Sequence, residues 1–382
     1  MRKLLFLLLL FPSLALAAPK TAYFKDDCAN NGDGTSAACA ASPGGVGAYN
    51  SCANAVTAEK GNLVTATRLL TLVHVGSATA SSTACNFLAA DWTVNSSYYP
   101  KVVTLTSDRH NGVVDTAEAR FSVADNTAVI RVEIPFLDLE GLQINQTKTG
   151  AGGGTDAAGI KIYLPGTDTV GRIRIKQNLI WYTGDYTNQA AQGIAYAVDS
   201  TGVEILIENN IIYDWNYNIF GRCRVGDTCT IQNNTLVDGV TNEFWFERYN
   251  GTFNFYNNLI QGAGTNIQWN GSSGATFNSG TNDTEDTSSP DGASFQSKVA
   301  VFVNEASNNF LLDSTDTVAK DLGTDRTAAG VTVDVQNNAR PYNSVFDIGA
   351  SEYTAAPTPT PTPSVTTRKG QKCYDRKGQC LQ

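Results

Sequence analysis

Four segments decide the fold: IRIKQNLI (173–180), ILIENNII (205–212), CTIQNNTL (229–236) and FNFYNNLI (253–260). Each reads apolar-x-apolar-x-x-Asn-x-apolar, with the Asn at Asn178, Asn210, Asn234 and Asn258. The intervals are 32, 24 and 24 residues, so the first holds one period plus eight inserted residues. Asn218, Asn242 and Asn266 form a second series, also 24 apart. Alternating apolar residues make a half-buried strand, and an Asn that follows takes a left-handed bend. If each period is one coil of a parallel β-solenoid, equivalent strands stack about 4.8 Å apart and their Asn amides bond along the column. One coil cannot bury its apolar face alone, so several must stack. A leucine-rich repeat also carries an Asn, but it needs regular Leu, and here the apolar positions mix Ile, Phe, Val and Cys. The reading is an all-β parallel β-helix.

With LDLEGLQI (137–144) added, these segments resemble coils of the right-handed parallel β-helix family, the pectate-lyase-like superfamily. The opening AYFKDDCANNGDGTSAACA and the closing VFDIGASEY are similar to the ends of secreted bacterial β-helix repeat proteins. The coil resemblance covers roughly residues 60 to 350 and implies a single-stranded, right-handed solenoid with an N-terminal cap over its first apolar layer. It is specific for fold and weak for activity, since lyases, hydrolases, epimerases, adhesins and tailspikes share the scaffold.

The leader MRKLLFLLLLFPSLALA has two basic residues, an apolar run and Ala15-Leu16-Ala17 before Ala18, the pattern of a secretory signal peptide. The expected organisation is a signal peptide over 1–17, a cap region over 18–60, the β-helix over 61–354, a Pro/Thr-rich linker over 355–366 and a basic Cys-containing tail over 367–382. Removing the leader takes away Arg2 and Lys3 but no acid, so 25 cations against 36 acids leave a formal charge of −11. Such a chain is a poor nucleic-acid ligand, because that affinity comes from Lys and Arg at phosphates. No later stretch reaches the roughly 18 apolar residues of a membrane span. Localisation is therefore read as secreted, extracellular or periplasmic, with the tail as a route to surface attachment.

Eight Cys in an exported chain read as disulfides. Sequence proximity pairs Cys28 with Cys39, Cys52 with Cys85, Cys223 with Cys229 and Cys373 with Cys380, with connectivity among the first four left open. A zinc site would want CxxC pairs or His partners, and the chain has only His74 and His110. His74 sits in an apolar strand and reads as a core or turn histidine; His110, in a polar loop, is open to a functional role. NNGDGT, with Asp26, Asp27, Asn31 and Asp33, reads as a plain turn or a Ca²⁺ loop, the turn being preferred. GAGGGTD (150–156) lacks the context of a phosphate loop and reads as a loop between coils. Residues 272–296 show no periodicity and read as a polar excursion, and strand-like segments resume at KVAVFVN, NNFLLD and VTVDVQ. The tail TTRKGQKCYDRKGQCLQ carries five cations and one acid and reads as solvated or as a binder of acidic surface polymer.

Chemistry on a solenoid is read from its columns. Arg172 with Glu204, and Lys176 with Glu208, fall on neighbouring coils and read mainly as cross-strand pairs. Asp214 and Asp238 each follow their ladder Asn by four residues, so the solenoid stacks them. Two such carboxylates want a compensating cation, either Ca²⁺ or an Arg. With Arg222 and Glu243 they make the candidate catalytic set, flanked by Arg224 and Asp185, in the composition a Ca²⁺-assisted lyase or an acid/base hydrolase needs. Solvated turn aspartates are the plainer reading. Tyr217, Phe244, Trp245, Tyr249 and Trp269 are too many aromatics to be all core; Tyr217, Trp245, Tyr249 and Trp269 are taken as candidates for stacking on sugar rings. Three functional classes stay open: a glycan-binding surface protein, which leads, then a polysaccharide lyase or glycoside hydrolase, then a structural envelope protein. No cofactor beyond Ca²⁺ is expected, and the oligomeric state is not legible.

Overall fold

The computed structural model describes residues 19–124, 127–148, 157–164, 166, 170–184, 191–198, 201–262, 264–271 and 274–354. The signal peptide, Asp185, the glycine-rich loop, the linker and the tail with Cys373 and Cys380 lie outside them. The chain is a parallel β-helix of three sheets. The long sheet has nine strands: β1 (Lys20–Phe24), β2 (Leu70–His74), β3 (Pro100–Thr104), β4 (Phe136–Glu140), β5 (Gly171–Lys176), β6 (Val203–Glu208), β7 (Thr228–Gln232), β8 (Thr252–Tyr256) and β9 (Thr276–Gly280). A middle sheet of seven runs from Arg120–Val123 to Asp283–Thr284, and a third of seven from Cys85–Phe87 to Thr265–Gly271. Every strand pairs in parallel with its equivalent one coil away, so Ile173, Ile205, Cys229 and Phe253 form one inward column. Crossovers between parallel strands are right-handed almost without exception, which fixes the hand of such a coil.

The ladder Asn side chains form an unbroken chain of bonds. In each step the backbone N–H and the Nδ2 of one Asn donate to the Oδ1 of the next: Asn178 to Asn210 (2.9 and 3.0 Å), Asn210 to Asn234 (3.0 and 3.0 Å) and Asn234 to Asn258 (3.1 and 3.0 Å). The column continues to Asn282, which Asn258 meets at 3.0 and 2.8 Å. The segment 276–284 is thus a further coil, which corrects the reading of 272–296 as wholly aperiodic. The left-handed bend belongs to the residue before each ladder Asn: Gln177, Asn209, Asn233, Asn257 and Thr281 have φ between 53° and 56°.

The second Asn series is not a column. One residue is gained before the strand Asn242–Tyr249 and one lost after it, so the register pairs Tyr217 with Asn242 and Asn242 with Thr265. The residue between Asn218 and Asn266 is therefore Glu243. The same register resolves the parity of that strand: Phe244 and Phe246 are inside, fully buried, and Trp245 is outside.

Both ends of the solenoid are covered, with one exception. At the N-terminal end the Tyr23 N–H donates to Gly34 O and the Lys25 N–H to Tyr49 O along β1. Helix α1 (Cys52–Glu59) lies beside Cys85–Phe87, the outermost strand of the third sheet, and Ser81 bridges the first strand of the middle sheet. At the far end, side chains from 286–291 replace the carbonyls of a missing coil. Asp286 Oδ2 accepts from the Asn266 N–H, Ser288 Oγ from the Ile267 N–H, and Asp291 Oδ2 from both nitrogens of Asn282. Those contacts cap the middle and third sheets and leave β9 as the outermost strand of the long sheet.

Coil formation stops at Thr284. Residues 295–353 fold back over the outer face of the middle sheet, where Leu179, Trp181, Ile211, Tyr213, Val237 and Leu259 are apolar and meet Phe302, Phe310, Leu312, Val335 and Ile348. The strand-like segments read in this part of the sequence therefore make an overlay with one small antiparallel pair, Phe302–Asn304 with Asn309–Leu312, and no further coils. The left-handed row anchors the overlay: Asn209 Nδ2 donates to Val333 O at 2.8 Å and Asn257 Nδ2 to Thr324 O at 2.8 Å. Among the described residues no helix is long and apolar enough to cross a membrane.

Three of the proximity pairings are formed, with Cα separations of 5.2 Å (Cys28–Cys39), 5.4 Å (Cys52–Cys85) and 6.2 Å (Cys223–Cys229). Cys52–Cys85 clips α1 to the third sheet across 33 residues. In the loop-entropy account a bridge of that span is worth about 4 kcal/mol, against about 2 kcal/mol for the six-residue Cys223–Cys229 loop. Thermal melts of Cys52→Ala/Cys85→Ala and Cys223→Ala/Cys229→Ala should show the larger loss for the first; the reverse order would mean the cap is not held by its bridge.

Candidate functional site

The stacked pair stands at the corner between the middle and third sheets. Tyr213 is in register with Val237, and the next residues, Asp214 and Asp238, are both left-handed with φ of 63° and 54°. Burial first and the neighbouring Asp238 second push the Asp214 carboxyl up to about 6. Loss of water and then Glu285 raise Asp238, and Glu305 is raised by burial and by the same two acids. The corner is thus an acidic edge. Among the described residues no third carboxylate, His or Cys ligand closes with the pair within 4.8 Å, so a Ca²⁺ ion here would have two side chains and little else.

The rest of the expected catalytic set is elsewhere, which corrects that grouping. Arg222 lies on the outer face of the third sheet and forms an ion pair with Glu247. Glu243 points into the coil and is fully buried, with Oε1 accepting from the Gly239 N–H at 3.1 Å and Oε2 from Asn266 Nδ2 at 3.2 Å. Gly262 makes room for it, since a Cβ there would come within 1.9 Å of Oε1. Burial pushes the Glu243 carboxyl up to about 7, beyond the reach of any substrate. The physical cause is the one-residue shift, which sets Glu243 in the buried column of Asn218 and Asn266.

The aromatic set also divides. Tyr217 and Trp245 remain half-buried on the outer face, their rings 5.4 Å apart and nearly perpendicular, joined by Phe220 at 6.0 and 6.1 Å. Phe220 is absent from the expected set because Ile219 and Phe220 are apolar in succession, and alternation alone does not say which of them points out. Trp269 is corrected to the inner side, packed on Phe246 at 4.9 Å and Phe277 at 4.6 Å. The Tyr249 side chain falls outside the described ones.

Both histidines are structural. His74 is buried against Phe24 at 4.5 Å with Nε2 2.8 Å from Asp26 Oδ2. His110 accepts from the Gly112 N–H at Nδ1, so its Nε2–H donates to Gln177 O at 3.0 Å, and burial lowers it to about 3. The NNGDGT segment is a turn: Asp33 Oδ1 takes the Thr35 N–H, the Thr35 hydroxyl and the Gly47 N–H.

A concave feature lies on the outer face of the long sheet, a cleft of about 380 Å³ bounded by β5–β8 below and by Arg326 and Ala329 of the overlay at its side. Its floor carries Glu204, Thr228, Thr230, Gln232 and Asn254 around the apolar Leu206. One wall is a relay in which Lys176 pairs with Glu208 at 2.8 Å, Gln232 Nε2 donates to Glu208 at 2.6 Å, and Arg326 donates twice to Gln232 Oε1 at 3.1 Å. Arg326 also lies 4.0 Å over the Tyr256 ring. At the other wall Arg174 is held by Asp138 and the Tyr99 hydroxyl. The expected Arg172–Glu204 pair is not formed. Arg172 reaches two strands back to lie 5.2 Å over Tyr99, its Nε without a partner, and Glu204 is left exposed. The cleft therefore carries two guanidinium groups, Arg172 and Arg326, with no carboxylate paired to either among the described residues. Arg326 lies 94 residues beyond its partner Gln232, and no repeat signal could have placed it there.

The fold defines a class, the parallel β-helix proteins with an overlaid C-terminal segment. Comparison of the chain with protein-family models, curated proteins and solved structures finds no match.

Proposed function

We propose that this chain is a secreted β-helix protein that binds an acidic polysaccharide across the outer face of its long sheet. The observation that supports it is the cleft with Arg172 and Arg326, two planar cations without carboxylate partners among the described residues, in a chain whose formal charge is −9. Guanidinium groups meet carboxylates or sulfates through paired charge-assisted bonds, and the Thr, Asn and Gln floor offers hydroxyl partners. Coils resembling the pectate-lyase-like superfamily and the leader-like N-terminus agree with an exported glycan ligand. The test is an array of acidic and neutral glycans, read for binding and for unsaturated products. Retention of uronate or sulfated glycans over neutral ones is expected. Preference for neutral chains would contradict the reading, and formation of unsaturated sugars would make the cleft a lyase site.

A further inference from the structure

Among the described residues, five of the six sheet ends in this solenoid are covered by a cap, a bridge or substituting side chains, and β9 is the sixth. A strand at a sheet edge presents unpaired N–H and C=O groups, and natural proteins usually blunt it with charge, Pro or a bulge. β9 has none of these: TFNSG carries no charge and no Pro, and its neighbour β8, TFNFY, is also uncharged. The apolar interior is not closed at this end either, where Trp269 and Phe277 are half-buried with rings 4.6 Å apart. The outer polar column points the same way. Asn254 donates to Thr230 at 3.2 Å and Asn278 to Asn254 at 2.9 Å, so each amide points its donor toward the preceding coil and, among the described residues, Asn278 ends the column at this edge.

We propose that β9 pairs with β9 of a second copy of this chain, antiparallel about a two-fold axis near Asn278. The strand is short, uncharged and self-complementary, so two copies meet without like-charge repulsion. An antiparallel pair keeps its axis perpendicular to the sheet, so the two long sheets join into one of eighteen strands, nine from each copy, with equivalent faces on the same side. The half-buried Trp269 and Phe277 of each copy are covered in the same step. For a polymer ligand, and resting there on the binding reading above, the dimer presents two clefts on one surface and gains from linked binding. The pairing itself does not depend on the ligand.

The experiment uses the full chain. Sedimentation across a concentration series should show a monomer that approaches twice its mass, and Asn278→Lys, an exposed substitution that sets two cations face to face, should stay monomeric with an unchanged melting temperature. Asn278→Cys, oxidised and mapped without reduction, should give the 278 peptide joined to its own copy. A wild-type chain that stays monomeric throughout overturns the proposal. So does a 278 peptide joined to Cys373 or Cys380, which would put the chain's own tail on the edge.

Discussion

Asn234→Ala is expected to cost on the order of 5 kcal/mol, whereas Asn233→Ala, one residue away in the same Asn-Asn pair, should stay within about 1 kcal/mol. The Asn234 side chain donates to Ile207 O, Gln232 O and Asn258 Oδ1 and accepts from the backbone and side chain of Asn210. All of these atoms are buried, so truncation strands two or three polar groups at about 1–3 kcal/mol each. Among the described residues neither amide atom of Asn233 has a partner, so Ala there strands no hydrogen bond and loses mainly the ease with which Asn adopts a φ of 56°. Urea melts of the two variants compare them directly. Equal losses would mean that the ladder is a packing feature and its hydrogen bonds contribute little.

The second large effect is a pH dependence. Glu243 titrates near 7 in the folded chain and near 4.5 when unfolded, so the folded state holds its proton more tightly. The stability it contributes is present below 4.5 and is lost as pH rises through 7, to a total of about 3 kcal/mol. Glu243→Gln keeps the shape and stays neutral, and its amide can donate toward Asn218, whose Oδ1 lacks a partner. The variant should match the wild type in acid and pull ahead steadily toward neutral pH, leaving a flat difference above it. Melts that keep a constant offset at every pH would show that Glu243 is ionised in the fold. The acidic corner has the same sign, since Asp214 is pushed up to about 6, whereas the buried, neutral His110 opposes it as pH falls below 6.5.

Much of the fold was legible because the ladder Asn positions obey a rigid constraint. A column of bonded amides tolerates no slip, so Asn210, Asn234 and Asn258 keep their 24-residue spacing whatever surrounds them. The series Asn218, Asn242, Asn266 has the same spacing and no such bonds, and there a one-residue gain and loss cancelled in the count. That coincidence misplaced Glu243 and Trp269 together. The pair Asp214 and Asp238 was legible because it hangs directly on the ladder. The cleft was not, for two reasons of the same kind. Arg172 chose a ring two strands away over the acid beside it, and Arg326 arrives from an overlay whose path across the solenoid no periodicity encodes.

The most direct test of the cleft is calorimetric titration of the full chain with a uronate oligosaccharide, repeated in raised salt. Each guanidinium–carboxylate contact is worth about 1.5–3 kcal/mol, so Arg172→Ala/Arg326→Ala should weaken binding by at least about tenfold and flatten its salt dependence. Tyr217→Ala/Trp245→Ala, on another sheet, should leave both unchanged. Undiminished binding in the arginine variant, or its loss in the aromatic one, would contradict the account and move the site to the third sheet.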